Sequence, residues 1–227
     1  MKIGTDAIAF AALVSIKGAK NVFEIGVGTG VVSLILAQRS IADNAQIDGI
    51  ELDGGAAKQA ADNYRASPWS SRLTVENVAF QNYHKSQDRP EFDRIVCNPP
   101  FFSGSHPPDT IRNLARHRNS LPLETLFQKS DELLAESGRM AVILPNDQVD
   151  DAVAMAQLHS LYLARVVSIV PFPGRQEIRR VLEFSRLRQL PATESLIIRQ
   201  SHQRYTGDFK KLTEPYYLPR TFKNDPI

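Results

Sequence analysis

The sequence predicts an α/β fold built on one doubly wound, mostly parallel sheet of seven strands with an antiparallel pair at its C-terminal end. Three features support this fold class. Short apolar runs typical of buried strands alternate with helical patterns as far as residue 158. A glycine-rich turn at residues 26–30 connects the first strand to a helix. Two long β runs then follow each other, joined by a connection that contains the turn residues 172–175, Phe-Pro-Gly-Arg.

The predicted strands are short apolar runs bounded by residues that interrupt a strand. They cover residues 21–25, 45–52, 73–78, 92–97, 139–144, 161–171 and 179–187, and a further β-like segment covers residues 194–200. The fourth strand must stop at Pro99 and Pro100, because proline lacks an N–H and fixes φ near −65°.

The helices between these strands are predicted from periodicity and from their end signals. An opening helix is expected to be capped by Thr5 or Asp6, because both side chains accept hydrogen bonds from free backbone N–H groups. Asp53 is expected to cap a helix at residues 55–65 in the same way. The other helices are expected at residues 31–40, from Ser120 to a stop at Gly138, at residues 147–158, and as a capped helix in the tail from Tyr205 to Thr213.

The composition favours a single domain over residues 1–227, with a basic C-terminal segment of about residues 188–227 packed on it or contacting a phosphate-bearing partner. No apolar run approaches the roughly 20 residues that cross a bilayer, and the N-terminus lacks a signal-peptide pattern. The single cysteine, Cys97, excludes an internal disulfide framework and a cysteine-cluster metal site. We therefore expect a cytoplasmic protein, preferably monomeric, with no membrane partner and no metal.

Charge is distributed unevenly along the chain, whose net charge is only +2. Residues 165–227 carry 12 Lys/Arg and 6 Asp/Glu, a net charge of +6, whereas the rest of the chain has a net charge of −4. A basic C-terminal third suits a phosphate-bearing partner. The alternative is a solvated surface whose arginines pair with neighbouring strands.

The glycine-rich turn is the first candidate binding element. Gly26, Gly28 and Gly30 permit a tight turn and let a ligand approach the backbone beside the start of a helix. Position 31 is Val, so the Gly-x-Gly-x-x-Gly fingerprint of dinucleotide-binding proteins fails. Glu24 on the preceding strand would repel a pyrophosphate, but it could receive an ammonium group directly or through water. The ligand indicated is nucleoside-like and cationic at one end; the alternative is a purely structural turn.

Acidic and aromatic side chains supply further candidates. An acid about 20 residues after the glycine loop is placed to accept hydrogen bonds from both hydroxyls of a ribose. Glu51, last on the second strand, is preferred for this role to Asp53, which is better placed as a helix cap. Phe80 and Tyr83 are packing residues or an adenine wall, and core packing is preferred for Tyr83.

The exit from the fourth strand is the candidate catalytic element. Asn98 and Pro99 are both expected to have an extended backbone, since residues before proline avoid the helical region. The Asn98 side chain and the Pro99 carbonyl can then face the same cleft. With Phe101 as a flat apolar wall, they offer two acceptors and a stacking surface to a planar substrate that carries an NH2 group. The alternative is a rigid strand-to-loop exit with core aromatics.

A long segment without periodicity follows this exit, from Phe102 to Asn119. A loop of this length in a compact domain indicates a functional flap or partial disorder. Its basic residues either meet substrate phosphates or are solvated loop charges: Arg112, Arg116, His117 and Arg118.

Taken together, Glu-x-Gly-x-Gly-x-Gly, the acid after the second strand and Asn-Pro-Pro-Phe resemble the Rossmann-like, class I methyltransferases that use S-adenosylmethionine. Asn-Pro-Pro-aromatic resembles the branch that methylates planar, non-ring nitrogens. Three further segments resemble the bacterial tRNA adenine-N6 methyltransferases, which modify adenine 37 of the valine-specific tRNA. These are residues 1–6, Arg116-His117-x-x-Ser120-Leu121 and the tail Tyr205-x-x-Asp208-Phe209-Lys210-x-Leu212-Thr213-x-x-Tyr216-Tyr217-Leu218.

This resemblance covers nearly the whole chain and implies S-adenosylmethionine as cofactor and the anticodon region of a tRNA as partner. It implies catalytic roles for Asn98, Pro99, Pro100 and Phe101. It implies cofactor contacts from Thr5, Glu24, Gly26, Gly28, Gly30, Glu51, Leu52, Ala79, Phe80 and Asn98. Many related enzymes have an Asp at position 79 that binds the cofactor adenine amine. Because this chain has Ala79, backbone groups of Ala79 and Phe80 are expected to recognise the adenine.

Two alternatives remain open at this stage. One is methylation of another planar nitrogen, such as guanine N2 in ribosomal RNA or a glutamine in release factors, since Asn-Pro-Pro-aromatic is shared with those enzymes. The other is a non-catalytic RNA-binding module that keeps only the fold. Intact Asn98 and the intact glycine loop argue against the second alternative.

Overall fold

The computed structural model describes residues 4–99, 121–201, 204–218 and 221–222. The helices are α1 (Thr5–Leu13), α2 (Val31–Arg39), α3 (Gly54–Ala66), α4 (Leu123–Leu133), α5 (Val149–Leu158) and α6 (Gly207–Thr213). The strands are β1 (Asn21–Ile25), β2 (Gln46–Glu51), β3 (Leu73–Asn77), β4 (Phe92–Cys97), β5 (Leu134–Leu144), β6 (Tyr162–Val170), β7 (Arg179–Ser185), β8 (Ala192–Ile197), β9 (Arg199–Ser201) and β10 (Arg204–Tyr205).

Eight strands form one sheet in the order β3-β2-β1-β4-β5-β7-β6-β8. β7 pairs antiparallel with both β5 and β6, whereas the other neighbouring strands pair parallel. The predicted fold class is therefore confirmed. The sheet has one strand more than the seven predicted, because β8 pairs parallel with β6 along its whole length. β9 and β10 form a separate two-stranded hairpin.

The direction of the strands defines a common edge for the site. β1 to β6 and β8 all end at one edge of the sheet, where β7 begins, and we call this the carboxyl edge. Ligands of such sheets bind beyond the carboxyl ends of the strands. The predicted site residues Glu51 and Asn98 lie at this edge, at the end of β2 and just after β4.

Both faces of the sheet are covered, because successive side chains of a strand point to opposite faces. Val22 belongs to a core cluster that also contains Phe10 of α1 and Leu36 of α2. Phe23 belongs to the cluster on the other face, together with Phe127 of α4. These two layers hold the strands rigidly between the helices.

The described part of the C-terminal segment packs on the first of these layers. Phe209 of α6 is fully buried, and the ring of Tyr205 stacks on it with a centroid distance of 5.0 Å. The Gln38 side chain of α2 donates a hydrogen bond to the Pro215 carbonyl at 3.2 Å. Thr206 accepts a hydrogen bond from the Phe209 N–H at 3.1 Å, which confirms that the tail helix is capped. Among the described helices, none is long and apolar enough to span a membrane.

Two predicted helix ends are wrong. At the start of α1, Gly4 is the N-cap residue and no side chain caps the helix, because Thr5 and Asp6 already lie in its first turn. The predicted cap of α3 is confirmed, because Asp53 accepts a hydrogen bond from the Ala56 N–H at 2.7 Å.

The second error concerns Gly138, for which the sequence predicts a helix end before the fifth strand. α4 ends at Leu133, and β5 begins at once, with Leu134 paired to Phe92. The next paired residue of β5 is Arg139, so residues 135–138 bulge out of the strand. A Cβ at Gly138 would come within 2.7 Å of the Leu134 side chain. The glycine therefore permits a tight bulge in a strand and does not terminate the helix.

Candidate active site

The loop between β1 and α2 has a backbone shape that glycine permits. Gly26, Gly28 and Gly30 have φ angles of 75°, 56° and 87°, which residues with side chains rarely adopt. At Gly30, a Cβ atom would lie 2.5 Å from Cε1 of Tyr64, because the Tyr64 ring fills the space beneath the loop. The loop is therefore a bare backbone surface at the carboxyl edge, supported from below by an aromatic ring.

Hydrogen bonds fix this loop to the end of β2. The Gly26 N–H donates to the Ile50 carbonyl at 2.9 Å. The Glu51 carboxylate accepts a hydrogen bond from the Gly28 N–H at 2.8 Å through one oxygen, and from the Asp53 N–H at 2.9 Å through the other. Glu51 thus lies between the glycine loop and the start of α3, and is half-buried at the carboxyl edge.

Glu24 lies beneath the same loop and is only 2% exposed. The Ser33 hydroxyl of α2 donates a hydrogen bond to its carboxylate. Burial raises the pKa of Glu24 to about 8, and the negative charge of Glu51 acts in the same direction. The hydrogen bond from Ser33 lowers the pKa, but burial outweighs it, so the net shift favours the protonated form of this carboxyl group. Its predicted contact with an ammonium group stays a prediction.

Asn98 and Pro99 follow β4 directly and are half-buried at the carboxyl edge. β4 lies between β1 and β5, and its last residue, Cys97, pairs with Ile25 and Val142. This register places Asn98 beside the start of the glycine loop. Pro100 and Phe101 lie outside the described residues, as do the basic residues predicted between Phe102 and Asn119.

The Cys97 thiol has no role in the chemistry of this cleft. It is 1% exposed, and burial raises the pKa of the thiol well above its usual range. A nucleophilic cysteine requires an exposed thiol of lowered pKa, so Cys97 is a packing residue.

The segment after β3 closes the cleft on the side of β2. The Asn77 side chain donates hydrogen bonds to the Glu51 and Leu52 carbonyls at 2.8 and 3.0 Å. Leu52 is 51% exposed, so its side chain is available to a ligand. Ala79 is half-buried and precedes a short 3-10 turn, Phe80–Asn82.

The two aromatic residues of this segment belong to the core. Tyr83 stacks on Phe23 with a centroid distance of 4.7 Å and is buried, which confirms the packing role preferred for it. The Phe80 ring lies 6.2 Å from the same Phe23 ring and is 4% exposed. The Phe80 ring therefore packs in the core, and the cofactor contact expected from the backbone of Phe80 stays a prediction.

Lys129 of α4 secures this turn and could not be identified from the sequence. Its ammonium group donates hydrogen bonds to the Gln81 and Tyr83 carbonyls at 2.9 and 2.8 Å, and it lies 5.7 Å from the centre of the Phe80 ring. These partners are 48 and 46 residues away along the chain, so no local pattern marks the lysine. Sequence reasoning misses Ser33 and Tyr64 for the same reason.

The N-terminus of α1 also lies at the carboxyl edge. The carboxylate of Asp6 is 3.9 Å from the Arg179 guanidinium, and Arg179 is the first residue of β7. Thr5, its neighbour, is half-buried at this end of the helix. The described site residues therefore gather along one edge, on the ends of β1, β2, β3 and β4 and the start of α1.

The chain, with this strand order, a glycine loop after β1 and an acid at the end of β2, is similar to known proteins. The methyltransferase small domain family model matches residues 3–162, well over half of the chain. The chain belongs to this family. Two relatives named tRNA1(Val) (adenine(37)-N6)-methyltransferase come from Bacteroides fragilis and Tolumonas auensis. Each is 36% identical over 96% of this chain, which covers 91% of the first relative and 90% of the second. A third, from Bacteroides thetaiotaomicron, is 37% identical with the same coverage as the first.

Solved structures with lower identity share the fold. One, described as a predicted O-methyltransferase from Agrobacterium tumefaciens, has a TM-score of 0.69 and 17% identity, with 92% of this chain and 96% of that chain covered. Another is the methyltransferase subunit of a type I restriction-modification system from Streptococcus thermophilus. Its TM-score is 0.63 at 15% identity, with 95% of this chain and 52% of that chain covered. These structures support the fold class alone.

Proposed function

We propose that this chain transfers a methyl group from S-adenosylmethionine to the exocyclic N6 of an adenine in tRNA, with adenine 37 of valine tRNA as the target. Relatives that carry this activity in their names match 96% of the chain at 36–37% identity. The structural observation that carries the proposal is the position of Asn98 and Pro99 beside the glycine loop, at the ends of neighbouring strands. We further propose one cytoplasmic, monomeric methyltransferase domain over residues 1–227.

The residues of the cleft fit S-adenosylmethionine. The positive φ angles of the glycine loop leave a surface that a Cβ would obstruct, and there the methionine portion can lie close to the backbone. Glu51 is placed to accept hydrogen bonds from the ribose hydroxyls, and Leu52 is exposed beside it. The backbone of Ala79 and Phe80 is assigned to the adenine, and Thr5 and Glu24 to the methionine end. When bound, S-adenosylmethionine supplies an electrophilic methyl group.

We assign catalysis to the residues that directly follow β4. The target adenine leaves its stack and enters the cleft, where Phe101 provides a stacking surface. Asn98 Oδ1 and the Pro99 carbonyl accept hydrogen bonds from the two hydrogens of N6. These bonds favour a more tetrahedral amine, whose lone pair is then directed away from the ring. Because Asn98 and Pro99 each precede a proline, their backbone avoids the helical region, which restricts the orientation of the two acceptors.

This arrangement needs no strong general base before the attack. The adenine amine is neutral, and the proton is lost readily once the nitrogen has been methylated. Asn98 and Pro99 therefore act by orienting the amine and by stabilising the charge that develops on its hydrogens.

The decisive experiment is nucleoside mass spectrometry of an unmodified valine tRNA transcript after incubation with the protein and S-adenosylmethionine. N6-methyladenosine is expected, and it should disappear when adenine 37 of the transcript is replaced by guanine. Ribosomal RNA and release factor are assayed in parallel. Methylguanine or methylglutamine without N6-methyladenosine would contradict the proposal. Calorimetry with S-adenosylmethionine tests cofactor binding without reference to activity.

A further inference from the structure

Seven of the described arginines in the basic C-terminal third fall into two groups. Three of them are held in contacts away from the carboxyl edge. Arg165 pairs with Glu183 and Glu194, Arg186 pairs with Asp131, and Arg188 lies on the Tyr162 ring, 4.5 Å from its centre. These side chains stabilise the sheet and its loops, as the alternative interpretation of the basic third expects.

A second group of arginines lies along the carboxyl edge, on the side of the sheet beyond β5. Arg180 is paired with Leu144 and Ser168, at the start of β7. Arg175 lies in the turn that joins β6 to β7 and is exposed. Arg199 follows β8, where its N–H donates to the Pro171 carbonyl at 3.1 Å. The β9–β10 hairpin, which continues from this point, carries the exposed Arg204.

The spacing of strands sets the distance between this group and the catalytic asparagine. β5 alone separates β4 from β7, and neighbouring strands lie about 4.8 Å apart, so the backbone of Arg180 is about 10 Å from that of Asn98. β6 and β8 follow at two further steps of about 4.8 Å each. The arginines thus form a line that begins one side-chain length from the catalytic exit and leads away from it.

The other half of the carboxyl edge has the opposite charge. β2 ends with Glu51, which is assigned to the ribose of the cofactor. Asp53 follows this strand, and Glu76 is the last residue but one of β3. On the arginine half, the counter-charges are Glu177, which pairs with Arg180, and Asp6, which lies 3.9 Å from Arg179, together with the exposed Asp147. Among the described residues, Arg175 and Arg204 have no ion-pair partner. A polyanion would therefore be repelled from the first half and attracted to the second.

We propose that Arg175, Arg180, Arg199 and Arg204 form a phosphate-binding track that holds the sugar-phosphate backbone of the RNA beside the flipped adenine. The track rests on the proposed function, which supplies the RNA, and adds the direction in which the RNA leaves the cleft: over β7, β6 and β8. Tyr205 orders one member of the track. The Arg199 guanidinium lies 3.9 Å from the centre of the Tyr205 ring and donates a hydrogen bond to the Tyr205 hydroxyl at 2.7 Å. Because Tyr205 already restricts the Arg199 guanidinium, this side chain loses little conformational entropy when it binds a phosphate.

The test uses the full chain with Arg175, Arg180 and Arg204 replaced together by Gln, and a fluorescently labelled valine tRNA. Affinity is measured by anisotropy over a series of KCl concentrations, in the presence of S-adenosylhomocysteine. Each phosphate contact contributes about 0.7 to 0.9 to the slope of log K against log salt, so the slope should fall in magnitude by about 2 to 3. Affinity at low salt should fall at least about tenfold. Calorimetric affinity for S-adenosylmethionine should stay within about twofold of the wild-type value.

The matched control is Lys58→Gln, which removes an exposed cation of α3 on the acidic half of the edge. Its slope and its affinity for tRNA should equal those of the wild type. Single substitutions, Arg175→Gln and Arg204→Gln, replace the triple variant if its circular dichroism spectrum shows a folding defect.

Failure of the track and failure of the proposed function give different results. A wild-type protein that forms N6-methyladenosine while the triple variant keeps the wild-type slope and affinity overturns the track alone. Loss of tRNA affinity in the triple variant, with no N6-methyladenosine formed by the wild type, supports the track and overturns the proposed reaction. Retention of tRNA binding with loss of binding to phosphatidylserine vesicles would assign the arginines to a membrane surface and overturn the track.

Discussion

The Gly28 N–H donates a hydrogen bond to the Glu51 carboxylate across 2.8 Å. This bond links the loop after β1 to the end of β2, so the two cofactor-binding elements predicted from the sequence hold each other in place. A carboxylate oxygen has more than one lone pair, and Glu51 can accept hydrogen bonds from a ribose while it keeps its bond to the loop. The acid therefore orders the loop as well as offering acceptors to a ligand.

Replacing Glu51 by Gln should weaken binding of S-adenosylmethionine about tenfold to a hundredfold. The glutamine amide lacks the negative charge that strengthens the hydrogen bonds of the Glu51 carboxylate to the ribose. Hydrogen bonds to charged groups are worth about 1.5–3 kcal/mol. Calorimetry measures the loss directly. Glu76→Gln, at the end of the neighbouring strand, is the matched control and should bind normally. Equal affinities for both variants would remove Glu51 from the cofactor site.

Replacing Asn98 by Ala should lower the rate of methyl transfer by at least about a hundredfold, comparable to the loss of one oxyanion-hole donor in other enzymes. Cofactor affinity should change far less than the rate, because the asparagine side chain is assigned chiefly to the adenine amine and is only one of several cofactor contacts. The rate is measured in single-turnover assays on valine tRNA. Asn146→Ala removes an asparagine from the loop after the next strand, where its side chain donates to the Glu177 carbonyl at 2.8 Å, and should retain activity. Full methylation by the Asn98 variant would contradict the mechanism.

The buried carboxyl group of Glu24 should make stability depend on pH. Its pKa is about 8 in the folded protein, against 4.5 as the reference value, so the folded state binds more protons than the unfolded state between these values. Its contribution to stability is complete below about pH 4.5 and is lost as the pH rises through 8, with a slope of up to about 1.4 kcal/mol per pH unit. The free energies of unfolding of the wild type and of Glu24→Gln are measured by urea denaturation from pH 5 to 9. The stability advantage of the wild type over the variant should shrink or reverse as the pH rises. A difference that does not vary with pH would be evidence against a protonated Glu24.

Replacing Gly30 by Ala should lower the free energy of unfolding by about 1–3 kcal/mol. The φ angle of 87° is unfavourable for alanine, and the new methyl group would meet the Tyr64 ring at 2.5 Å. Gly207→Ala is the comparison, because a Cβ there would meet no atom within 4 Å, and it should change stability by less than about 0.5 kcal/mol. Thermal unfolding measures both variants. Equal melting temperatures would show that the loop can shift to accept a side chain.

Replacing Lys129 by Met should raise the KM for S-adenosylmethionine several-fold and leave the KM for tRNA unchanged. The lysine holds the Gln81 and Tyr83 carbonyls, and this turn carries the backbone assigned to the cofactor adenine. Lys129→Arg keeps the charge and the donors and should recover part of the affinity. Lys85→Met, which removes a lysine that donates to the Arg89 carbonyl in an exposed loop, is the control. An unchanged KM in Lys129→Met would restrict the lysine to a role in stability.

Local patterns in the sequence account for much of the site. The glycine spacing, the acid at the end of β2 and the asparagine after β4 are predicted to lie together from the sequence alone, because parallel strands end at one edge regardless of the details of packing. The capping of α3 by Asp53 and of the tail helix is likewise predictable, since the N–H groups that bond to Asp53 and Thr206 lie three residues away. Short-range chemistry of this kind depends only on neighbouring positions of the chain.

Only the tertiary structure decided features that depend on distant partners. Gly138 permits a bulge and not a helix end, because β4 pairs with Leu134 and then with Arg139. Burial raises the pKa of Glu24 although the hydrogen bond from Ser33 lowers it, and this balance is a consequence of packing that its position on β1 does not reveal.

The positions of the charges in the C-terminal third also depend on the tertiary structure. The sequence by itself determined that this third is basic, with a net charge of +6 over residues 165–227. The order of β7, β6 and β8 in the sheet decided that Arg165 is held by acids, whereas Arg175 and Arg180 line the carboxyl edge. A count of charges is a property of composition, but the position of each charge depends on which strands pair, and pairing is settled only when the whole sheet is assembled.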